Sequence, residues 1–357
     1  MAMKALKIYA GPRALVHLRE RGLKPADVRV VPAAAGGPKG LVLNPIDRFL
    51  FGHWLAGCDQ PVHLLGASIG AWRMAAAARA DADAALAQLA DDYIGQHYEH
   101  APGKSPSAAQ VSRAFADKLA LRFNAPAEQL LAHPQRHLHV FTSHGRGLLG
   151  REGRWRTPLG YATAFGANLA SRRWMGRWLE RVVFSDPRRP LPFTLHDHPT
   201  QQVGLSAHNL SPAILASCSI PFWLQAVHDI PGAPTGAYWD GGITDYHLHL
   251  DYAQMSEGLV LYPHFQQQLV PGWLDKGLRR RHGATARLDN VVVLAPSAQW
   301  IASLPSAKLP DRSDFKTFLD QPEERMRRWR LAVAASQQLA DELADWLARP
   351  GQDALPL

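Results

Sequence analysis

Short apolar runs alternate along the chain with longer segments of helical hydrophobic periodicity. The apolar runs predict buried strands over residues 28–34, 62–67, 137–142, 237–240, 258–262 and 290–294. The periodic segments predict helices over residues 40–55, 69–80, 83–98, 108–123, 162–183, 210–216 and 322–347. Strands that alternate with helices are typical of a largely parallel sheet covered by helices. The pattern therefore predicts the α/β fold class.

The composition is that of an ordinary globular protein, with 46% hydrophobic and 20% charged residues among 357. No loop between the predicted elements is long enough to mark a domain boundary, so we expect a single domain. No apolar run approaches the ~18 residues of a membrane-spanning helix, and the first residues lack a signal-peptide pattern. The two cysteines, Cys58 and Cys218, do not make a disulfide framework. Together these features predict a cytoplasmic protein.

The chain carries an excess of positive charge, with a formal net charge of +8. The basic residues are scattered and no zinc-finger or RNA-binding motif accompanies them, so we expect no nucleic acid partner. A basic surface also suits an anionic membrane. On the predicted helix 162–183, Trp174 and Trp178 lie on an apolar stripe beside arginines. Such a stripe is typical of a helix at a membrane surface and equally of one packed on a core. Peripheral contact with anionic membrane is therefore one expectation.

The sharpest chemical signal is GASIG at residues 66–70, which has the pattern G-x-S-x-G. It follows a predicted strand and precedes an alanine-rich predicted helix, which is the context of a nucleophile elbow. Small neighbours are needed there because the strand-to-helix turn is strained and crowded. The pattern indicates a nucleophilic Ser68, while a serine helix cap beside a glycine turn is the simpler alternative.

Two other glycine-containing turns follow predicted strands. The first, AGGPKG at residues 35–40, can direct backbone N–H groups at an anion, helped by the partial positive charge of a helix N-terminus. It lacks the P-loop pattern and suits an oxyanion hole better than a phosphate site. The second is WDGG at residues 239–242, which comes after the small-residue segment 215–222. Alone, each of these turns is more simply a tight connection.

The order of these motifs resembles the patatin-like phospholipase family over roughly residues 28–250. The motifs that carry the resemblance are residues 35–40, the G-x-S-x-G at 66–70, the Ala-Ser segment at 216–222 and the Asp-Gly-Gly at 240–242. The resemblance implies a three-layer α/β/α fold around a central, mostly parallel sheet. It also implies a catalytic core over residues 28–250, with residues 251–357 as a C-terminal extension packed on the same domain.

The resemblance further implies a hydrolase that cleaves carboxylic acyl esters of lipids, such as phospholipids or lysophospholipids. Members act through a Ser–Asp dyad and an acyl-enzyme, without a cofactor. Carried over by motif, Ser68 is the nucleophile and Asp240 the general base. The implied oxyanion-hole residues are Gly36, Gly37, Lys39 and Gly40, and the glycines that support the motifs are Gly66, Gly70, Gly241 and Gly242.

Some positions depart from the family pattern. Ala35 replaces the first glycine of the first turn, and Pro38 has no N–H group to donate. Lys39 stands where the family often has arginine, and Asp245 adds a second carboxylate shortly after Asp240. We expect these changes to affect the substrate and the rate more than the fold.

The chain has 17 histidines, which raises the question of a metal site or a histidine base. Three H-x-H pairs, at 137/139, 196/198 and 247/249, put both imidazoles on one strand face, but no third ligand has a diagnostic spacing, so we expect no metal. Two alternatives to the dyad stay open. One is a Ser-His-Asp hydrolase whose histidine is His247, His249, His264 or His282. The other is a lipid-binding or regulatory protein that keeps the fold with little turnover.

Overall fold

A mixed β-sheet runs through the computed structural model, which describes residues 3–100, 106–349 and 352–357. The strands in chain order are β1 (Leu6–Ala10), β2 (Val28–Ala33), β3 (Val62–Ala67), β4 (Arg136–Gly145), β5 (Leu179–Ser185), β6 (Thr200–Gly204), β7 (Val227–His228), β8 (Ala237–Trp239), β9 (Leu259–Pro263), β10 (Val291–Pro296) and β11 (Leu355–Pro356). Their order across the sheet is β11-β1-β10-β9-β2-β3-β4-β5-β6, while β8 pairs with β4 and β7 with β8.

Parallel pairing dominates the middle of the sheet, where β10, β9, β2, β3 and β4 follow one another in parallel. The pairs of β1 with β10, β4 with β5, β4 with β8 and β7 with β8 are antiparallel. Ala33 at the end of β2 is in register with Gly66 near the end of β3. Parallel strands end at one edge of the sheet, and this is where ligands bind in α/β proteins. The turns that follow β2 and β3 therefore lie side by side at that edge.

Helices flank this sheet, as the buried central strands require. The α-helices of the described residues are Pro12–Arg21, Asn44–Phe49, Ile69–Ala77, Ala82–Ile94, Ala108–Phe123, Ala127–Leu131, Arg156–Ala170, Arg172–Met175, Leu210–Ser217, Gly242–Asp245, Ala298–Ser303, Ser313–Thr317, Pro322–Ala335 and Gln337–Leu347. The prediction of the α/β class with a mostly parallel sheet is confirmed. In the part of the chain that the structure describes, no helix is long and apolar enough to cross a membrane.

The helix after β3 has its whole length inside the protein. All of its residues, Ile69–Ala77, are buried. Its many alanines allow this, because a small side chain on every face lets the helix pack closely on the sheet and on the next helix. The helix that carries the Ser68 turn is thus held on all sides.

The predicted helix 162–183 is wrong over its second half. The chain leaves the helix Arg156–Ala170, makes the short turn of helix Arg172–Met175 and then enters β5, all of whose residues are buried. Glu180 lies off the apolar stripe of the predicted helix, which gave this segment an amphipathic pattern, but the Glu180 and Arg181 side chains are both buried with partners in the fold. Trp174 and Trp178 consequently share no helical stripe.

Other differences lie at helix boundaries. The predicted helix 322–347 is two helices, divided at Ser336, whose Oγ donates to the carbonyl of Val333. The predicted helix 40–55 begins as a 3₁₀ turn over Gly37–Leu43 and ends as a π-helical turn over Leu50–Trp54. β1 and the helix after it were not predicted from the apolar pattern.

Candidate active site

Ser68 lies on the turn between β3 and the helix Ile69–Ala77. Its backbone has φ 56° and ψ −130°, a conformation that residues with a side chain rarely adopt and that stores strain. The Ser68 N–H donates to Ser217 Oγ at 2.8 Å, and that hydroxyl donates to the carbonyl of Phe141 at 2.7 Å. These bonds tie the turn to β4. The Ser68 side chain makes no helix-capping hydrogen bond.

The two glycines of G-x-S-x-G are needed because other chain segments pass directly against them. A Cβ atom on Gly70 would lie 1.9 Å from the carbonyl oxygen of Ala33 in β2. A Cβ atom on Gly66 would lie 2.4 Å from Cα of Ala71. Both distances are far inside van der Waals contact. The pattern therefore sets how closely β2, β3 and the helix approach one another around Ser68.

Asp240 reaches the same place from the second half of the chain. It follows β8, which pairs with β4 so that Trp239 lies opposite Ser143. Ser143 Oγ donates to the Asp240 carbonyl at 2.9 Å, and the Gly242 N–H donates to Asp240 Oδ1 at 2.7 Å. Gly241 must be glycine because a Cβ atom there would lie 2.0 Å from the carbonyl oxygen of Phe141.

The structure brings the predicted nucleophile and base into direct contact. Ser68 Oγ donates a hydrogen bond to Asp240 Oδ2 at 2.7 Å. Both residues are buried, with 3% and 5% of their surface exposed. Burial raises the pKa of Asp240, while the positive charge of Arg312 and the hydrogen bonds from Ser68 and Gly242 partly offset that rise. A carboxylate with a raised pKa is a better proton acceptor near neutral pH.

The glycine turn after β2 places Gly37, one of the four predicted oxyanion-hole residues, in the wall of the cavity beside Ser68. Gly37 has φ 57°, which glycine adopts without strain. The other three predicted residues are absent from the cavity wall within the described part of the chain. Gly36 packs against the Phe265 ring, and Lys39 Nζ lies 5.4 Å from the centre of that ring. Gly40, the third, faces the side chains of Ile69 and Arg73 instead.

Ile69 is a cavity residue that the sequence analysis did not name. It is the first residue of its helix, so its N–H has no partner four residues earlier in that helix. The residue after the serine of a nucleophile elbow commonly supplies an oxyanion N–H. The sequence signal for Ile69 as an oxyanion-hole candidate is its place directly after Ser68 in the G-x-S-x-G pattern.

A cavity of about 370 Å³ opens at Ser68. Most of its wall is apolar and aromatic, including Tyr93, Phe115 and Phe315. Phe222 and Trp223 also line it and are exposed to solvent. A cleft with a mostly apolar wall is the usual form of a site for a small apolar ligand. The apolar part of the wall can hold an acyl chain in a cavity that Ser68 also lines.

Two basic residues at the site were also missed, Arg312 and Lys276. Arg312 lines the cavity together with Ser68, and both it and Lys276 act electrostatically on Asp240. No local sequence pattern identifies them, because each is brought to the site by a loop far along the chain.

The histidines considered as a third member of a triad are all bonded elsewhere. His247 and His249 meet the backbone of the segment 268–270, His264 bonds the Gln266 backbone, and His282 bonds the carbonyl of Asp275. His139 of an H-x-H pair meets His63, with 3.0 Å between their ring nitrogens. In the residues that the structure describes, no group of three or more His, Cys, Asp or Glu side chains is arranged to hold a metal ion.

Comparison with protein families assigns a class to this fold and site. The family model for patatin-like phospholipase matches residues 48–247, more than half of the chain. The matched range begins after the glycine turn at 35–40 and includes Ser68 and Asp240. The chain therefore belongs to the patatin-like phospholipase family, which acts on lipid esters.

The other comparisons add little detail. A comparison with curated proteins gave no match. Among solved structures, the chain is similar to the crystal structure of VipD from Legionella pneumophila, with 12% identity and a TM-score of 0.31. That similarity covers 96% of this chain and 71% of VipD.

Proposed function

We propose that the protein hydrolyses carboxylic acyl esters of lipids through a Ser68–Asp240 dyad. The observation that carries this proposal is the 2.7 Å hydrogen bond from Ser68 Oγ, in the wall of a mostly apolar cavity, to Asp240 Oδ2. A direct serine–carboxylate contact leaves no place for a histidine between the two groups. We further propose that the reaction needs no cofactor, because these two side chains and backbone N–H groups supply every proton transfer and charge contact.

In this mechanism Ser68 Oγ attacks the ester carbonyl carbon while its proton passes to Asp240 Oδ2. The carbonyl oxygen becomes an oxyanion, which the N–H groups of Gly37 and Ile69 stabilise. The C–O bond to the alcohol then breaks, and Asp240 returns the proton to the departing oxygen. An acyl group now esterifies Ser68. Water attacks this ester, gives its proton to Asp240, and the fatty acid leaves as Ser68 regains its hydrogen.

The test is covalent labelling combined with turnover. A fluorophosphonate probe should label the wild-type protein on the peptide that contains Ser68, and Ser68→Ala should abolish both labelling and hydrolysis of short-chain nitrophenyl esters. Labelling that survives in Ser68→Ala would contradict the nucleophile assignment. A folded wild-type protein that binds acyl chains without turnover would favour the lipid-binding alternative.

The histidine alternative has a separate test. Substituting His247, His249, His264 and His282 singly by Gln should reduce turnover far less than Asp240→Asn. Equal loss at any one of them in a folded protein would replace the dyad with a Ser-His-Asp triad.

We also propose that the protein works as a peripheral protein on anionic membrane in the cytoplasm. The helix Arg156–Ala170 and its flanks carry apolar side chains that are exposed to solvent; these are Trp155, Leu159, Phe165, Leu169 and Trp174. We call this set the apolar face. Arg154, Arg156, Arg173 and Arg177 surround it and are exposed as well. Exposed apolar side chains beside arginines suit the boundary between lipid headgroups and acyl chains.

The helix that carries most of the apolar face also contacts a residue of the cavity wall. Tyr161, on the same helix, packs against the ring of Phe222, which lines the cavity. Co-sedimentation with anionic vesicles should weaken in Trp155→Ala and Leu159→Ala. Leu121→Ala, which removes another exposed leucine from a different helix, should leave it unchanged. Equal binding to neutral and anionic vesicles would contradict the role of the arginines.

A further inference from the structure

The end of the helix Leu210–Ser217 supports the backbone of the proposed base. Carbonyl groups in the last turn of a helix have no partner within that helix. Here the Ser217 carbonyl accepts a hydrogen bond from the Gly241 N–H at 3.0 Å. Just beyond the helix, the Ser219 carbonyl accepts one from the Asp240 N–H at 2.9 Å. Two carbonyls of one short segment therefore hold Asp240 and the residue after it.

The side chain of Ser217 holds the proposed nucleophile. Its Oγ accepts the Ser68 N–H at 2.8 Å and donates its own proton to the carbonyl of Phe141 at 2.7 Å. Because a hydroxyl has one proton, the bond to Phe141 leaves Ser217 Oγ as an acceptor towards Ser68. All three residues are buried, so bulk water cannot take the place of this acceptor. The Ser68 N–H is thereby fixed, and the oxyanion is left to the N–H groups of other residues.

Ser217 thus contacts both halves of the dyad. Its hydroxyl bonds the nucleophile, its carbonyl bonds Gly241, and a Cβ atom on Gly241 would lie 3.1 Å from its Oγ. Ser68 has φ 56°, and a strained backbone persists only where the surrounding structure holds it in place. The bond from the Ser68 N–H to Ser217 is one such restraint. The 2.7 Å approach of Ser68 Oγ to Asp240 consequently depends on Ser217.

A second buried serine lies two residues further along and lacks this connection. The Ser219 hydroxyl donates to the carbonyl of Leu215 at 2.9 Å, four residues earlier in the chain. That bond closes the end of the helix to which Leu215 belongs. The Ser219 side chain therefore supports its own helix, whereas the Ser217 side chain supports the turn at Ser68.

We propose that Ser217 is a positioning residue that holds Ser68 and Asp240 at the separation needed for direct proton transfer. This inference rests on the proposed dyad. Ser217 is not among the described residues that line the cavity, although its neighbour Cys218 is. Loss of the Ser217 hydroxyl should therefore slow the chemical step and leave substrate binding unchanged.

The first experiment measures turnover of a nitrophenyl ester by Ser217→Ala. We expect kcat per folded molecule to fall by up to about 10²-fold, the scale of a displacement of about 1 Å at a reacting atom, while KM stays within about twofold. Ser217→Thr keeps the hydroxyl and should restore part of the rate. Urea unfolding gives the folded fraction of each variant.

Ser219→Ala is the matched control. It also removes a buried hydroxyl that bonds a backbone carbonyl, so its urea midpoint should fall by an amount similar to that of Ser217→Ala. Its kcat should stay close to that of the wild type. A kcat that falls equally in both variants, or in neither, overturns the positioning role.

The pH profile provides a readout that a loss of stability does not move. The hydrogen bond from Ser68 lowers the pKa of Asp240. If Ser68 turns away in Ser217→Ala, this contribution is lost and the acid limb of kcat/KM moves to higher pH. Ser219→Ala should keep the wild-type profile. An unmoved acid limb in Ser217→Ala contradicts the proposal.

An NMR titration of the Asp240 carboxyl carbon separates this inference from the proposed function, because it requires no turnover. A pKa that rises in Ser217→Ala and not in Ser219→Ala supports the positioning role even if the wild type hydrolyses no ester. In that case only the proposed function fails. Wild-type turnover together with an unchanged pKa in Ser217→Ala overturns the positioning role and leaves the proposed function standing.

Discussion

Asp240 and Asp245 lie five positions apart, and both are buried, yet the protein surrounds them in opposite ways. Both oxygens of Asp245 accept hydrogen bonds from the Arg181 guanidinium, with Nε at 2.7 Å from Oδ2. Arg181 binds Asp197 as well. Asp240 accepts hydrogen bonds from the Ser68 hydroxyl and the Gly242 N–H, and no cation contacts it among the described residues. The sequence indicated Asp245 as a second carboxylate near the site. In the structure, both of its oxygens are instead bonded to Arg181.

These different surroundings give Asp245 a structural role and leave Asp240 available for chemistry. Burial acts to lower the pKa of Arg181, but Asp245 and Asp197 outweigh it and raise that pKa above its usual range. Arg181 therefore keeps its positive charge at any ordinary pH. Burial instead raises the pKa of Asp240, and the nearby cations act on it only through space. Asp240 can therefore exchange a proton with the hydroxyl it contacts.

The largest effect should come from Asp240→Asn. The substitution keeps the shape but removes the proton acceptor, so turnover of a nitrophenyl ester should fall by up to about 10⁴-fold, the upper range for a general base. Because the folded-state pKa is raised, ionised Asp240 lowers stability at neutral pH, and that cost is absent below its unfolded-state pKa. The free energy of unfolding at neutral pH should therefore not decrease. Turnover close to that of the wild type would refute the assigned role.

Asp245→Asn should instead damage the fold. It leaves the buried Arg181 with one carboxylate partner, and breaking a buried pair costs roughly 3–5 kcal/mol. Urea unfolding measures the loss, and activity per folded molecule should stay close to that of the wild type. Asp320→Asn, at an exposed aspartate, should change stability by less than about 0.5 kcal/mol. A stable but inactive Asp245→Asn variant would place this carboxylate in the chemistry.

A smaller effect on stability is expected from substitutions that change the backbone strain at Ser68. With φ 56°, glycine fits the turn better than alanine, so Ser68→Gly should be more stable than Ser68→Ala by about 1 kcal/mol, although both are inactive. At Ser336, where φ is −74°, the same pair of substitutions should show the opposite order. Equal stabilities of the two Ser68 variants would mean that the turn stores no strain.

The smallest effect is a shift of the pH profile. Asp240 must be ionised to accept a proton, so kcat/KM for a neutral ester should fall as the pH drops through its raised pKa. The charged groups that lower this pKa are Arg312 and Lys276. Arg312→Gln removes one of them, so the acid limb should move to higher pH. A shift to lower pH would contradict this electrostatic coupling.

The sequence was most informative where steric demands are local. β3 and the turn at Ser68 were predicted correctly, because a strained turn crossed by neighbouring backbone admits only glycine at positions 66 and 70. The helix Ala108–Phe123 was also predicted to its ends. The segment of β5 was predicted as a helix because Glu180 lies off the apolar stripe that Trp174 and Trp178 would form on such a helix.

The sequence by itself determined the α/β class, the family and the two residues proposed as nucleophile and base. Each of these depends on short motifs and on their order and spacing in the chain. Only the tertiary structure decided that Asp245, the second carboxylate nearby, is held by Arg181. It also decided that Arg312 lines the cavity beside Ser68 and that Lys276 acts electrostatically on Asp240. These are contacts between distant segments, and their energies come from burial and from charges that only the folded chain brings together.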